Sequence, residues 1–166
     1  MDEVERFPID PYIYGAEQNC FGCGPHNEHG MRLQFFVEGD EVVTELQPRD
    51  GWEGPPGIVH GGLQATLADE VAAWTILGLR RQFGFTTQLN VRYIRPLRLD
   101  APIQGRGRIV EQSEKTVTVA VTLSQHGRRA CTAKANFIIP TEAMAERALG
   151  RDLPDVWRAM ARKGTA

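Results

Sequence analysis

The sequence predicts an α+β fold in which one long central helix is wrapped by a six-stranded, mostly antiparallel sheet. Three observations predict it. One internal segment has helical composition and is apolar around its whole circumference, six runs are rich in β-branched residues, and only short turns separate the last three of those runs. A chain of 166 residues supplies one core of this kind and needs no second domain.

Residues 1–19 carry Pro8, Pro11 and Gly15 without any period, so they read as an N-terminal arm. Met31 to Val37 (MRLQFFV) and Glu41 to Leu46 (EVVTEL) are two β-rich runs, and Glu38-Gly39-Asp40 between them makes a hairpin turn. A loop of breakers, Pro48 to Gly57, precedes the helix, which is expected from about His60 to Leu79 and to stop at Gly78 or Gly84. Four further runs follow: Thr86 to Ile94, Ile103 to Glu111, Thr116 to Ser124 and Arg129 to Ile139. Their connections at 112–115 and 125–128 are short, so the last three form an antiparallel meander. The domain closes near Pro140. Residues 141–166 form a helical extension in two pieces split by Gly150 and Pro154.

Nineteen Lys and Arg against twenty-one Asp and Glu leave a net charge of −2, so no global basic field exists to hold nucleic acid or an anionic membrane. No run approaches the roughly 20 apolar residues that span a bilayer, and the start MDEVERFPID is acidic rather than basic and apolar. A soluble cytoplasmic protein with reduced thiols is expected.

The segment IVHGGLQATLADE raises a chemical question, because Asp69 and Glu70 sit in a helix with apolar residues on every side. An ionised carboxylate in a dry interior is costly unless it is paired or opens onto a wet cleft. The two lie about 100° apart around the axis, so one site uses only one of them directly. Gly61 and Gly62 fall where the helix begins, where unpaired N–H groups and the helix dipole can hold a carbonyl oxygen that is gaining charge. Donors and a carboxylate on one element are what acyl transfer requires.

HGGLQATLAD, His60 to Asp69, resembles the H-G-G-x-x-x-x-L-x-D signature of hotdog-fold acyl-CoA thioesterases, in the branch typified by the phenylacetate-pathway thioesterase and the human thioesterase superfamily members. NCFGCGPHNEHGMRLQF, EGPPG and TTQLNVRYIRP are similar to the same branch, so the likeness runs from about residue 19 to 140. The resemblance implies that Gly61 N–H polarises the thioester carbonyl, with Gly62 beside it. Asp69 is then the nucleophile or general base, leaving Glu70 secondary. Thr86, with Thr87 adjacent, helps hold the attacking water, and His60 orients the loop or contacts the thioester side of the ligand. Asn90 and Arg95 are expected at the substrate, Arg95 on a CoA phosphate, while Trp74, with Leu77, Trp52 and Phe83, shapes the acyl pocket. One departure is Gly54, where some members carry a catalytic asparagine.

The resemblance further implies metal-independent hydrolysis of an acyl-CoA, with coenzyme A entering only as part of the substrate. It implies a homodimer or dimer of dimers whose active sites lie at the subunit interface. The rival reading from another class is a non-catalytic acyl-CoA-binding hotdog domain, a sensor or scaffold. A dehydratase or hydratase places its His and Asp differently and is disfavoured.

Cys20-x-x-Cys23-x-x-His26-x-x-His29 invites a zinc reading, but the two-residue gap before the histidines is tighter than in a zinc finger. A structural turn is the favoured reading. In the extension, Ala143, Met144, Ala148, Val156, Trp157 and Met160 recur at helical spacing. They are expected to pack on the exposed side of the sheet or on a partner subunit, with Arg158, Arg162 and Lys163 facing water.

Overall fold

A computed structural model of the chain describes residues 5–164. The first four residues of the expected arm and the last two of the extension lie outside the described residues. Seven strands form one antiparallel sheet: β1 (Arg6–Pro8), β2 (Phe36–Glu38), β3 (Glu41–Leu46), β4 (Phe85–Tyr93), β5 (Ile103–Gln112), β6 (Thr116–Gln125) and β7 (Arg128–Ile138). Their spatial order is β1-β2-β3-β5-β6-β7-β4. The helix α1 (Gly61–Arg80) packs across the sheet, and α2 (Glu142–Leu149) and α3 (Asp155–Met160) follow the last strand.

This is the expected α+β hotdog arrangement, with one strand more than the six counted from sequence. The extra strand is β1, three residues of the arm that pair with β2 as Arg6↔Glu38 to Pro8↔Phe36. A strand this short has no readable period, and proline is tolerated there because the position is at the sheet's edge. The run Met31 to Val37 is largely not a strand either. Its buried positions alternate through Met31, Leu33 and Phe35, but Arg32 has φ 50°, which breaks the ladder. Met31 N–H donates to Phe21 O at 2.7 Å and Leu33 N–H to Gly22 O at 3.0 Å, tying this stretch to the CFGC turn.

The meander β5-β6-β7 forms as expected. The first strand after the helix, β4, crosses to the far edge and pairs with β7. The register slips between Thr86 and Gln88, so Thr87 is a bulge residue.

Leu67, Ala68, Val71, Ala72, Trp74, Ile76 and Leu77 of α1 are buried against the sheet. Each large side chain buried this way contributes about 1.5–3 kcal/mol. The helix runs through Gly78, where a Cβ would stand 2.8 Å from Ile9 and 2.9 Å from Val42, so this glycine admits close packing and is not a stop. The stop is Arg81, left-handed at φ 55°, whose N–H returns to Leu77 O. Around the axis, Gly62 is exposed and Leu63, Ala65, Thr66, Asp69 and Ala73 are half-buried. This stripe is the one side of α1 that the chain itself leaves partly open.

The extension closes over the arm and the end of α1. Trp157 Nε1 donates to Tyr14 O at 3.0 Å, and its ring meets Tyr14 at 4.7 Å and Phe83 at 5.2 Å. Ala145, Leu153 and Met160 join the core. Arg162 does not face water: its side chain is 10% exposed and bonds Ile139 O and Glu114. Arg158 is held by Glu142, Glu146 and Asp155.

Candidate active site

His60 is the N-cap of α1, and its Nδ1 accepts the Gly62 N–H at 2.9 Å. That bond fixes the imidazole with its proton on Nε2. It also removes Gly62 from the set of available donors. Among the described residues the Gly61 N–H has no acceptor, and it lies in the first turn, where the helix dipole adds positive potential. Of the donor pair expected from the sequence, Gly61 alone therefore keeps a free N–H, oriented by its neighbour's cap.

Asp69 lies more than two turns further on, half-buried. Thr86, at the start of β4, donates its hydroxyl to Asp69 Oδ1 at 2.8 Å. The bulge at Thr87 sets the local aim of the strand here, and Thr87 itself turns to donate to Asn136 O at 3.0 Å. One carboxylate oxygen is thus fixed by a hydroxyl, and Oδ2 is left for a water or an acyl carbon.

At about 1.5 Å rise per residue, Gly61 and Asp69 are roughly 12 Å apart along the helix. Reacting groups must approach to about 3–3.5 Å. Within one chain the donor and the carboxylate cannot act on the same carbonyl.

Glu70 meets the N-terminal turn at Cys20 and Gly22. Its Oε1 accepts from the Cys20 thiol at 3.4 Å. Burial pushes the Glu70 carboxyl up to about 8, with the neighbouring Cys20 charge adding to it. The Cys20 thiol is lowered to about 5 by its hydrogen bonds with the Cys23 side chain and with the Cys23 and Gly22 backbone, against the effect of burial. The Cys23 thiol is raised by its bond to Cys20 and by burial.

Trp74 is 2% exposed, stacked on Phe35 at 4.8 Å and edge-on to Tyr14 at 5.9 Å. Leu77, Trp52 and Phe83 are buried in the same hydrophobic cluster. Asn90 is exposed on β4. Arg95 is exposed beyond the strand, with Nη1 donating to Arg129 O at 2.7 Å. It borders a groove of about 300 Å³ with Ile58, Gln64, Tyr93, Ile94 and Pro96.

Two residues at this end of the helix were missed by sequence reasoning. Tyr93 donates its hydroxyl to Gly61 O at 2.8 Å, bracing the peptide next to the free N–H. Gln64 is 5% exposed and donates to Val59 O at 2.8 Å, while its Oε1 has no partner among the described residues. A glutamine one turn after the cap in an otherwise apolar helix was the available signal for the second. Nothing in the sequence marked the first.

Residues 56–132 match the family model described as the thioesterase superfamily. The human protein acyl-coenzyme A thioesterase 13 is 26% identical over 85 residues, 51% of this chain and 61% of that protein, so the match spans less than two thirds of that relative's length. Among solved structures, a thioesterase superfamily protein superposes with a TM-score of 0.68 at 26% identity, covering 83% of this chain and 68% of that one. A hypothetical thioesterase from Streptococcus pneumoniae, solved with coenzyme A, has a TM-score of 0.56 at 25% identity over 60% of this chain and 80% of its own. The matched span carries the capped helix start, Asp69 and Thr86 together, and over it the chain is similar to the thioesterase superfamily, with whose solved members it shares the hotdog fold.

Proposed function

We propose that the protein is an acyl-CoA thioesterase, hydrolysing an acyl-CoA to the free acid and CoA. The observation that carries the reading is the Thr86–Asp69 hydrogen bond on the same helix as the unpaired Gly61 N–H. A binding domain needs no carboxylate held by a hydroxyl on its central helix, which weighs against the sensor alternative.

The reaction runs through a site shared by two copies. Gly61 of one subunit donates to the thioester carbonyl oxygen as it gains charge. Asp69 of the other takes a proton from water, the water oxygen bonds the carbonyl carbon, the C–S bond breaks and the proton passes to the leaving thiolate. Direct attack by the Asp69 carboxylate, followed by hydrolysis of the anhydride, gives the same products. Thr86 keeps Asp69 aimed, and His60 holds the Gly61–Gly62 turn in shape. Thr87, Asn90 and Arg95 contact the substrate, Arg95 suiting a CoA phosphate.

The roughly 12 Å between Gly61 and Asp69 supports the two-copy site. So do the partly open stripe on α1 and the edge position of β4, with Thr86, Thr87, Gln88 and Asn90 exposed. A homodimer or a dimer of dimers provides it. No metal takes part in the reaction. The free thiols Cys20, Cys23 and Cys131 fit a reducing cytoplasm, and no helix of the described residues is long and apolar enough to cross a membrane.

The test is thiol release from short-chain, long-chain and aromatic acyl-CoAs. Hydrolysis of at least one class that is abolished in Asp69→Asn supports the reading. Tight binding without release across the panel overturns it in favour of the sensor.

A further inference from the structure

We infer that Cys20, Cys23 and Glu70 form a structural zinc site that staples the N-terminal turn to the central helix. The three side chains bring two sulfur atoms and a carboxylate oxygen within 4.8 Å of one another. Cys20 Sγ and Glu70 Oε1 are 3.4 Å apart. With Zn–S near 2.3 Å and Zn–O near 2.0–2.2 Å, the ligand atoms of a tetrahedral site stand roughly 3.5–3.8 Å apart, so the cluster lies within about an ångström of that shape.

The local geometry is built for this approach. Cys20 and Cys23 have the two-residue spacing common to structural zinc sites. The Cys23 N–H donates to Cys20 Sγ at 3.5 Å, a bond that favours a thiolate in the turn. A Cβ at Gly22 would stand 2.2 Å from Glu70 Cδ, so only glycine lets the carboxylate reach the turn. The turn is fixed further by Gly24 N–H to Cys20 O at 3.0 Å and by Asn27 Nδ2 to Asn19 O and Cys20 O.

Glu70 is the group that calls for a cation. Among the described residues no Lys, Arg or His pairs with it; its polar neighbours are the two thiols, and the Tyr14 phenol and the Asp69 carboxylate are close enough to act on it electrostatically. A carboxyl and two thiols in one half-buried nest with no counter-charge suit a divalent ion that thiolates bind well, which selects zinc over magnesium or calcium. The histidines that made zinc look possible in the sequence are not part of the group: His26 packs on Tyr12 with centroids 5.7 Å apart, and His29 is exposed. Gln18 Oε1, 4.0 Å from Cys23 Sγ, is a neutral oxygen at hand for a fourth position. The ion would stand on the side of α1 turned about 100° from Asp69, outside the hydrolytic step.

The full chain, reduced and stripped with chelator under argon, is titrated with Co²⁺ and then Zn²⁺. The expected result is a thiolate-to-cobalt charge-transfer band that saturates at one equivalent, is bleached by Zn²⁺, and is accompanied by a rise in Tm. Cys20→Ser and Cys23→Ser should abolish the band, Glu70→Gln should weaken cobalt binding at least tenfold, and His26→Ala with His29→Ala should leave it unchanged. No band in the folded parent while DTNB counts three free thiols in the same sample after denaturation overturns the inference, as does recovery of a Cys20–Cys23 disulfide that takes up no cobalt once reduced. Loss of the band in the histidine variant, or unchanged affinity in Glu70→Gln, overturns the ligand assignment. Should the cysteine variants fail to fold, the parent titration and the histidine variant still decide. No turnover is read, so this outcome is independent of that for thioester hydrolysis.

Discussion

Thr86 Oγ1 stands 2.8 Å from Asp69 Oδ1 and donates to it, joining the edge strand β4 to the central helix at the one exposed hydroxyl–carboxylate bond of α1. In the hydrolytic reading this makes Asp69 the group that handles the proton. Asp69→Asn preserves shape and the Thr86 contact but removes the base, so kcat on a reactive acyl-CoA should fall by about 10²–10⁴-fold. The Tm should move by no more than a few degrees, because the residue is only half-buried. Equal turnover by variant and parent would sink the assignment.

Thr86→Ala deletes the donor and leaves Asp69 free to change rotamer, whereas Thr86→Ser keeps the hydroxyl. The loss of one charge-assisted hydrogen bond is about 1.5–3 kcal/mol, so Thr86→Ala should lower kcat by roughly ten- to a hundredfold. Thr86→Ser should recover most of it. Measuring kcat and KM separately distinguishes positioning from substrate binding, since an effect confined to KM contradicts a positioning role for the hydroxyl.

Much of this arrangement was legible in the residues, and the remainder has identifiable reasons. The helix was readable because twenty residues of helical composition stand between breakers, and the His60 to Asp69 spacing carries the family pattern. That Gly61 and not Gly62 keeps a free N–H was not readable, because it depends on which His60 nitrogen faces Gly62. Tyr93 reaches Gly61 across a strand and a loop, a contact of 32 residues' separation that no local pattern reports. The direction of Glu70 depends on the fold bringing Cys20 from fifty residues away. Trp74 could be judged large and apolar from sequence, but only its stacking on Phe35 shows it inside the core.

Tyr93→Phe tests the brace on the helix start. The hydroxyl bonds Gly61 O at 2.8 Å, and a neutral hydrogen bond contributes about 0.5–1.5 kcal/mol. Losing it loosens the peptide that carries the free N–H, and kcat/KM should fall by about two- to tenfold. Stability should hardly change, as the ring is 53% exposed. A drop of several orders of magnitude would mean that the phenol touches the reacting atoms.

Arg106 Nη1 meets Glu38 Oε1 at 2.6 Å and Glu41 Oε2 at 2.8 Å, tying β5 to the β2–β3 hairpin. Its hydrogen bond is the chief reason that the Glu38 carboxyl is held below its ordinary range, with Arg6 adding to it. A carboxyl lowered in the fold contributes stability above its unfolded pKa, near 4.3, and that contribution fades as pH falls through the folded value. Arg106 is 37% exposed, so solvent screening limits the loss in Arg106→Ala to about 1 kcal/mol at pH 7. Urea unfolding at pH 7 and at about pH 3 should show the penalty shrinking with acid. An equal penalty at both would assign the effect to packing instead.

The proposed two-copy site permits a complementation test. Gly61→Pro removes the Gly61 donor, yet proline is tolerated at the first helical position because its missing N–H has no partner within the helix. His60 has φ −54° and ψ 133°, the extended conformation that a residue before proline prefers. A Cβ at 61 would meet the Tyr93 ring at 3.6 Å, an ordinary contact. Gly61→Pro should therefore fold with its helix intact and lose about 10²–10³-fold in kcat. Co-expressed with Asp69→Asn, half of the dimers are mixed, and each mixed dimer holds one site with both Gly61 and Asp69 intact. About a quarter of parental activity should return. Donor and carboxylate acting within one subunit would leave every site broken, and the co-expressed pair would be as inactive as either variant alone.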